Sequence, residues 1–213
     1  MIGARNARRK RSVVGICETI RVVVVMTERV IEKRTAGQPG YGGVAKSLHW
    51  LIVALLIVQF AVAWTMPDIN PRTPPNTLVD LHFSIGVTIL FIAVLRLLWR
   101  WRYPVPLISD NVPVWQDWTA RATHFLLYLL LFVLPILGWV DAGFRGLSIN
   151  FYEIVAIPPI VGASRAWAGE TGDIHTLVSY VLLGVVGLHV LATLYHHFWL
   201  RDRVFYRMLP GKE

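Results

Sequence analysis

Four long apolar stretches, at residues 49–66, 79–99, 122–140 and 174–200, constrain this chain more than anything else in it. A helix rises about 1.5 Å per residue, so about 20 apolar residues cross a hydrocarbon core about 30 Å thick. All four stretches qualify, the first (HWLIVALLIVQFAVAWTM) only just. The segments between them, 67–75, 103–118 and 142–173, carry the Pro, Gly and polar residues of loops. Pro135 sits inside the third stretch, where a membrane helix accepts it with a kink. The pattern predicts an all-α fold, an integral membrane four-helix bundle. The charged fraction agrees: 16% here, where a soluble domain carries about 25%. Nine Trp suit the two membrane interfaces. The single cysteine, Cys17, excludes an intrachain disulfide, a four-cysteine zinc site and a CxxCH haem attachment.

The net charge of +8 would suit a nucleic-acid partner, but its distribution points to a lipid bilayer instead. Of 21 Lys and Arg, 18 precede the first stretch, lie between the second and third or at their ends (Arg96 among them), or follow the fourth. Only Arg72, Arg145 and Arg165 fall on the other side. Positive charge stays inside, so both termini and the middle loop are expected in the cytoplasm, against anionic headgroups. No nucleic acid is needed to explain the basic balance. Residues 1–45 read as a basic tail preceding a transmembrane domain over 46–210. The tail's apolar run at 22–26 is five residues long, whereas a secretory signal needs roughly 7–15. A translation start at Met26 is an equal expectation.

All seven histidines, His49, His82, His124, His175, His189, His196 and His197, lie in or at the ends of the four stretches. Histidine nitrogens need partners inside a bilayer, so a shared ligand role is expected. Consecutive helices run antiparallel, which puts His82 and His175 at outer ends. His189 follows His175 by fourteen residues, about 21 Å deeper and within roughly 40° of the same face. His49 matches His189 in depth. The opposed pairs are therefore His82 with His175 outside, and His49 with His189 inside.

A structural zinc ion wants four ligands, often thiolates, and a carboxylate-bridged di-metal site wants Glu on several helices. Haem needs only two axial ligands from the protein and brings its own apolar macrocycle. Two trans imidazoles leave no open position on the iron, so electron transfer is the expected chemistry. Gly86, Gly184 and Gly187 would leave room for the rings, or serve ordinary helix packing. Arg96, fourteen residues after His82, would meet a propionate of the inner haem or snorkel to the headgroups.

The segments KSLHWLIVALL, LHFSIGVTILFIAVLRLLWRWRYPVP, HFLLYLLLFVLPILGWV and DIHTLVSYVLLGVVGLHVLATLYHHFWLRDRVFYRMLP resemble, in order and spacing, the bacterial cytochrome b-561 family. These are four-helix di-haem b proteins of the inner membrane, and the resemblance covers about residues 41–210. It implies two haem b, with His49, His82, His175 and His189 as axial ligands, and exchange with ubiquinone. One member type that this chain resembles oxidises superoxide outside and reduces ubiquinone. Quinone reduction consumes protons, so His196, seven residues beyond His189, and His124, at the inner start of the third helix, become candidates for a quinone or proton site. Interfacial positions near headgroups are their ordinary alternative, and the one expected for His197.

The outer loops and helix ends hold three Arg but six acidic residues, Asp68, Asp80, Asp141, Glu153, Glu170 and Asp173. That balance does not favour an anionic donor such as superoxide, unless Arg145 or Arg165 makes a local positive funnel. The alternative expectation is a relay or anchor subunit for a soluble dehydrogenase or hydrogenase partner, with the long loop 142–173 as a docking surface or simply a lid.

Overall fold

The computed structural model describes residues 41–69, 77–103, 113–202 and 204–209. Cys17, Met26 and Arg72 lie outside the described residues, as does the tail up to residue 40. Four helices carry the fold: α1 (Gly43–Thr65), α2 (Thr77–Arg102), α3 (Val114–Phe144) and α4 (Arg165–Tyr195). All four are long and apolar enough to cross a membrane, with mean hydropathy of 2.0 to 2.2 over their best windows. The expected all-α four-helix bundle is what forms. α1 opens at Gly43, just inside the stretch expected as tail.

All four helices are longer than their apolar stretches. α3 and α4 each have 31 residues, about 46 Å of rise against a core of about 30 Å. The added turns carry polar residues, among them Gln116, Asp117 and Arg121 on α3 and Glu170, Thr171 and Asp173 on α4. Asp117 and Arg121 form an i,i+4 pair at 2.8 Å on the added start of α3. Apolar runs mark only the lipid-buried part of a helix, and backbone hydrogen bonding carries it further. Pro135 leaves α3 a single helix. Trp64, Trp101, Trp115, Trp118, Trp167 and Trp199 are exposed near helix ends, the two-belt arrangement of a membrane protein.

The core is made by α1, α2 and the middle of α3: Ile52, Val62, Ile85, Ile89, Ala93 and Leu131 pack as one cluster. Helices pack in sequence order, α1 on α2, α2 on α3 and α3 on α4. α4 contributes only Leu182 to the fully buried set.

One element has no counterpart among the sequence expectations. β1 (Ile149–Phe151) and β2 (Val155–Ile157) pair antiparallel as a small hairpin on the outer side. It is fastened to α2 by Ser84, which is fully buried. The Tyr152 N–H donates to Ser84 Oγ at 2.8 Å, and Tyr152 Oη lies 3.0 Å from Thr88 Oγ1. Three-residue strands are too short to leave an alternating signature in sequence.

Candidate functional site

At the outer level each of the four helices supplies one residue. His82 on α2 and His175 on α4 face each other with ring centres 6.2 Å apart at 72°. A metal–imidazole bond of about 2 Å, plus roughly 1 Å from nitrogen to ring centre, puts two trans ligands of one ion about 6 Å apart. The His82 ring keeps a buried Nδ1 without a hydrogen-bond partner, which is how a site prepared for a bound group looks. Gly138 on α3 lies under the His175 ring: a Cβ there would sit 3.0 Å from Cε1. Gln59 on α1 donates from Nε2 to the His82 carbonyl at 3.0 Å. These residues fit a bis-histidine haem.

Above this pair, Arg145 ties three segments together. It donates to Asp141 Oδ2 at 2.8 Å, to the Ile69 carbonyl after α1 and to the Ala168 carbonyl at the start of α4. Thr171 donates to the other Asp141 oxygen at 2.9 Å. Both charged side chains are largely buried, at 18% and 14% exposure. The Arg145 charge is thus answered by Asp141 and makes no positive funnel. Arg165 is exposed.

At the other level the structure brings two histidines into contact. His124 on α3 and His189 on α4 have ring centres 5.3 Å apart at 73°. His49 on α1 lies within electrostatic range of His189, His124 and Arg96. The ring that directly meets His189 is that of His124, where the sequence pairs His189 with His49. His124 Nδ1 is 2.6 Å from the Ala120 carbonyl. Only an N–H can make that contact, so Nδ1 carries the proton and Nε2 the lone pair. Arg96 turns its guanidinium to the Ala45 carbonyl at 2.8 Å, which fastens α2 to the start of α1 beside this cluster. Among the described residues no three or more His, Cys, Asp and Glu side chains form a cage for a bare metal ion.

His196 begins a π-helical turn, His196–Leu200, at the inner end of α4 and contacts Asp202. His197 packs instead against Phe198, Phe205 and Tyr206, an interfacial aromatic group.

Of the three glycines singled out from the sequence, Gly184 and Gly187 face open space, where a Cβ would touch nothing, and Gly86 meets only Gln59. The glycine and the amide that do border the outer pair, Gly138 and Gln59, are not among the sequence candidates. Gln59 has a signal, being the lone amide in the apolar part of α1. Gly138 has none, because its role lies across a helix interface.

A four-helix membrane bundle with facing histidines at two levels defines a membrane b-type cytochrome. The chain belongs to the prokaryotic cytochrome b561 family, whose model matches residues 40–211. It is 32% identical over 169 residues to a probable superoxide oxidase CybB of Yersinia pestis, covering 78% of this chain and 93% of that one. It is 28% identical over 179 residues to cytochrome b561 homolog 2 of Escherichia coli, covering 81% and 92%. Cytochrome b562 of Cereibacter sphaeroides matches at 25% over 177 residues, covering 81% and 96%. The family binds b-type haem and carries electrons in the membrane.

Proposed function

We propose that residues 46–210 form a transmembrane electron-transfer unit with two haem b in a bacterial inner membrane, both termini in the cytoplasm, delivering electrons to ubiquinone. His82 and His175 would hold the outer haem, and His49 and His189 the inner one. Bound haem supplies one-electron redox chemistry in an apolar surrounding. The observation that carries this is the 6.2 Å opposition of His82 and His175, matched at the other level by His49, His124 and His189. Arg96, whose guanidinium also holds the Ala45 carbonyl, would supply a counter-charge to a propionate of the inner haem. His124 presents an acceptor at Nε2, suited to a quinol hydroxyl, and His196 is the second candidate at that face.

Superoxide is the proposed electron donor, which makes the protein a superoxide:ubiquinone oxidoreductase. The likeness to the Yersinia protein supports it. A second reading, a relay for a soluble redox partner, is favoured by the outer electrostatics. Arg145 is neutralised, and the hairpin borders an acid-lined hollow formed by Asp80, Asn150, Glu153, Ile154, Val155 and Ala156. Such a face suits a basic partner better than an anion.

The test is haem content and redox reactivity of the purified protein. Two b haems per chain are expected, with His82→Leu and His175→Leu losing the same one, and His49→Leu and His189→Leu the other. Reduction by superoxide and reoxidation by ubiquinone support the oxidase. Two haems indifferent to superoxide select the relay, and any other pattern of haem loss overturns the ligand assignment.

A further inference from the structure

The end of α4 holds a histidine–carboxylate pair that no part of the haem site explains. After the π-helical turn, Arg201 adopts a left-handed conformation (φ 52°) and reverses the chain. Asp202 is then clamped from three directions. Its N–H donates to the His196 carbonyl at 3.2 Å. Its Oδ1 accepts from the Val204 N–H at 3.0 Å. Its Oδ2 lies 2.5 Å from His196 Nδ1. One carboxylate oxygen is thus spent on the backbone, and the other can only accept from the ring.

That geometry fixes the imidazole. Nδ1 keeps its proton towards the carboxylate, and Nε2 is the nitrogen left to exchange one. A carboxylate behind a histidine holds the ring in one orientation and stabilises the imidazolium when it forms. The His196 side chain is 21% exposed and that of Asp202 36%, so the pair joins inner-side water to the bundle.

We infer that Asp202 is a positioning residue that holds His196 as proton donor and acceptor for the quinone headgroup at the inner face, an inference that rests on the quinone reading above. A quinone that takes two electrons from the external donor gains two protons, one on each carbonyl oxygen. His196 gives a proton from Nε2 and regains it from water; in the reverse direction it accepts one from a quinol hydroxyl. Asp202 touches neither quinone nor haem.

The experiment uses the full-length, haem-loaded protein and decylubiquinol. Asp202→Asn keeps an oxygen for the Val204 N–H but sets an amide against His196 Nδ1. The expected result is a fall of tenfold or more in kcat for quinol-driven haem reduction, with KM for quinol, haem content and absorption spectrum unchanged. His196→Gln should fall as far, and the double variant no further. Nitrogen-15 NMR of histidine-labelled protein gives a readout independent of turnover: the His196 ring, assigned as the signal lost in His196→Gln, is protonated at Nδ1 in the native protein and shifted in Asp202→Asn. A native rate in Asp202→Asn, additive losses in the double variant, or an unchanged tautomer each overturns the role of Asp202 alone. A native protein that does not react with quinol overturns the quinone reading, and this inference with it.

Discussion

Gly138 shows how much a single missing atom can decide. α3 passes so close to the His175 ring that a Cβ at this position would stand 3.0 Å from Cε1 and 3.3 Å from Nδ1. That is tighter than ordinary contact, and a packed interior gives little way. Gly138→Ala should be absorbed by a small ring shift. Gly138→Val should displace the ring and lower haem content from two towards one per chain, read by pyridine haemochrome. Ser84 is a second such residue. It is fully buried and accepts the Tyr152 N–H at the hairpin turn. Ser84→Ala leaves that N–H unpaired, and we expect a loss of about 1–2 kcal/mol in detergent unfolding followed by haem absorbance.

At the scale of elements, polar chemistry adds to apolar packing at the outer ends of the helices. Arg145 reaches the carbonyls of Ile69 and Ala168 and the carboxylate of Asp141. It thereby joins the exit of α1, the end of α3 and the start of α4. Gly172 makes room for it, since a Cβ there would come within 2.6 Å of an Arg145 nitrogen. Arg145→Ala leaves a largely buried Asp141 without its counter-charge, and about 3 kcal/mol of destabilisation is expected in the same unfolding experiment. The inner ends are clasped differently. The Trp50 indole donates to the Met208 carbonyl at 2.8 Å, which brings the chain after α4 back to α1.

The whole molecule is electrically polarised. By sequence order, 18 of its 21 lysines and arginines fall to one expected side of the four spans, and the other expected side has six acids against three bases. Reporter fusions should therefore place both chain ends in the cytoplasm and the β1–β2 hairpin outside. The outer charge also predicts how a donor responds to salt. An anion meets repulsion there, so reduction by superoxide should quicken as ionic strength rises and the field is screened. A basic protein partner should show the opposite slope. Stopped-flow reduction at two salt concentrations separates the cases by sign alone.

Spans, charge asymmetry and the two depths of histidine were legible in the sequence. Each is a property along one chain: rise per residue sets depth, 100° per residue sets the face, and lysine and arginine report the side. The fourteen-residue spacing of His175 and His189 needed no neighbour to interpret. What one helix presents to the next needed the tertiary structure. His124 joins the inner level, Gly138 lies under His175 and Asp141 cancels Arg145 because of how each helix is rotated about its own axis against the others. Side-chain packing and hydrogen bonds between elements far apart in sequence set that rotation, and no periodicity within a single helix contains it. The Asp202 clamp has the same origin on a smaller scale. The sequence shows a histidine and an aspartate six residues apart, and only the π-helical turn and the reversal at Arg201 bring them into contact.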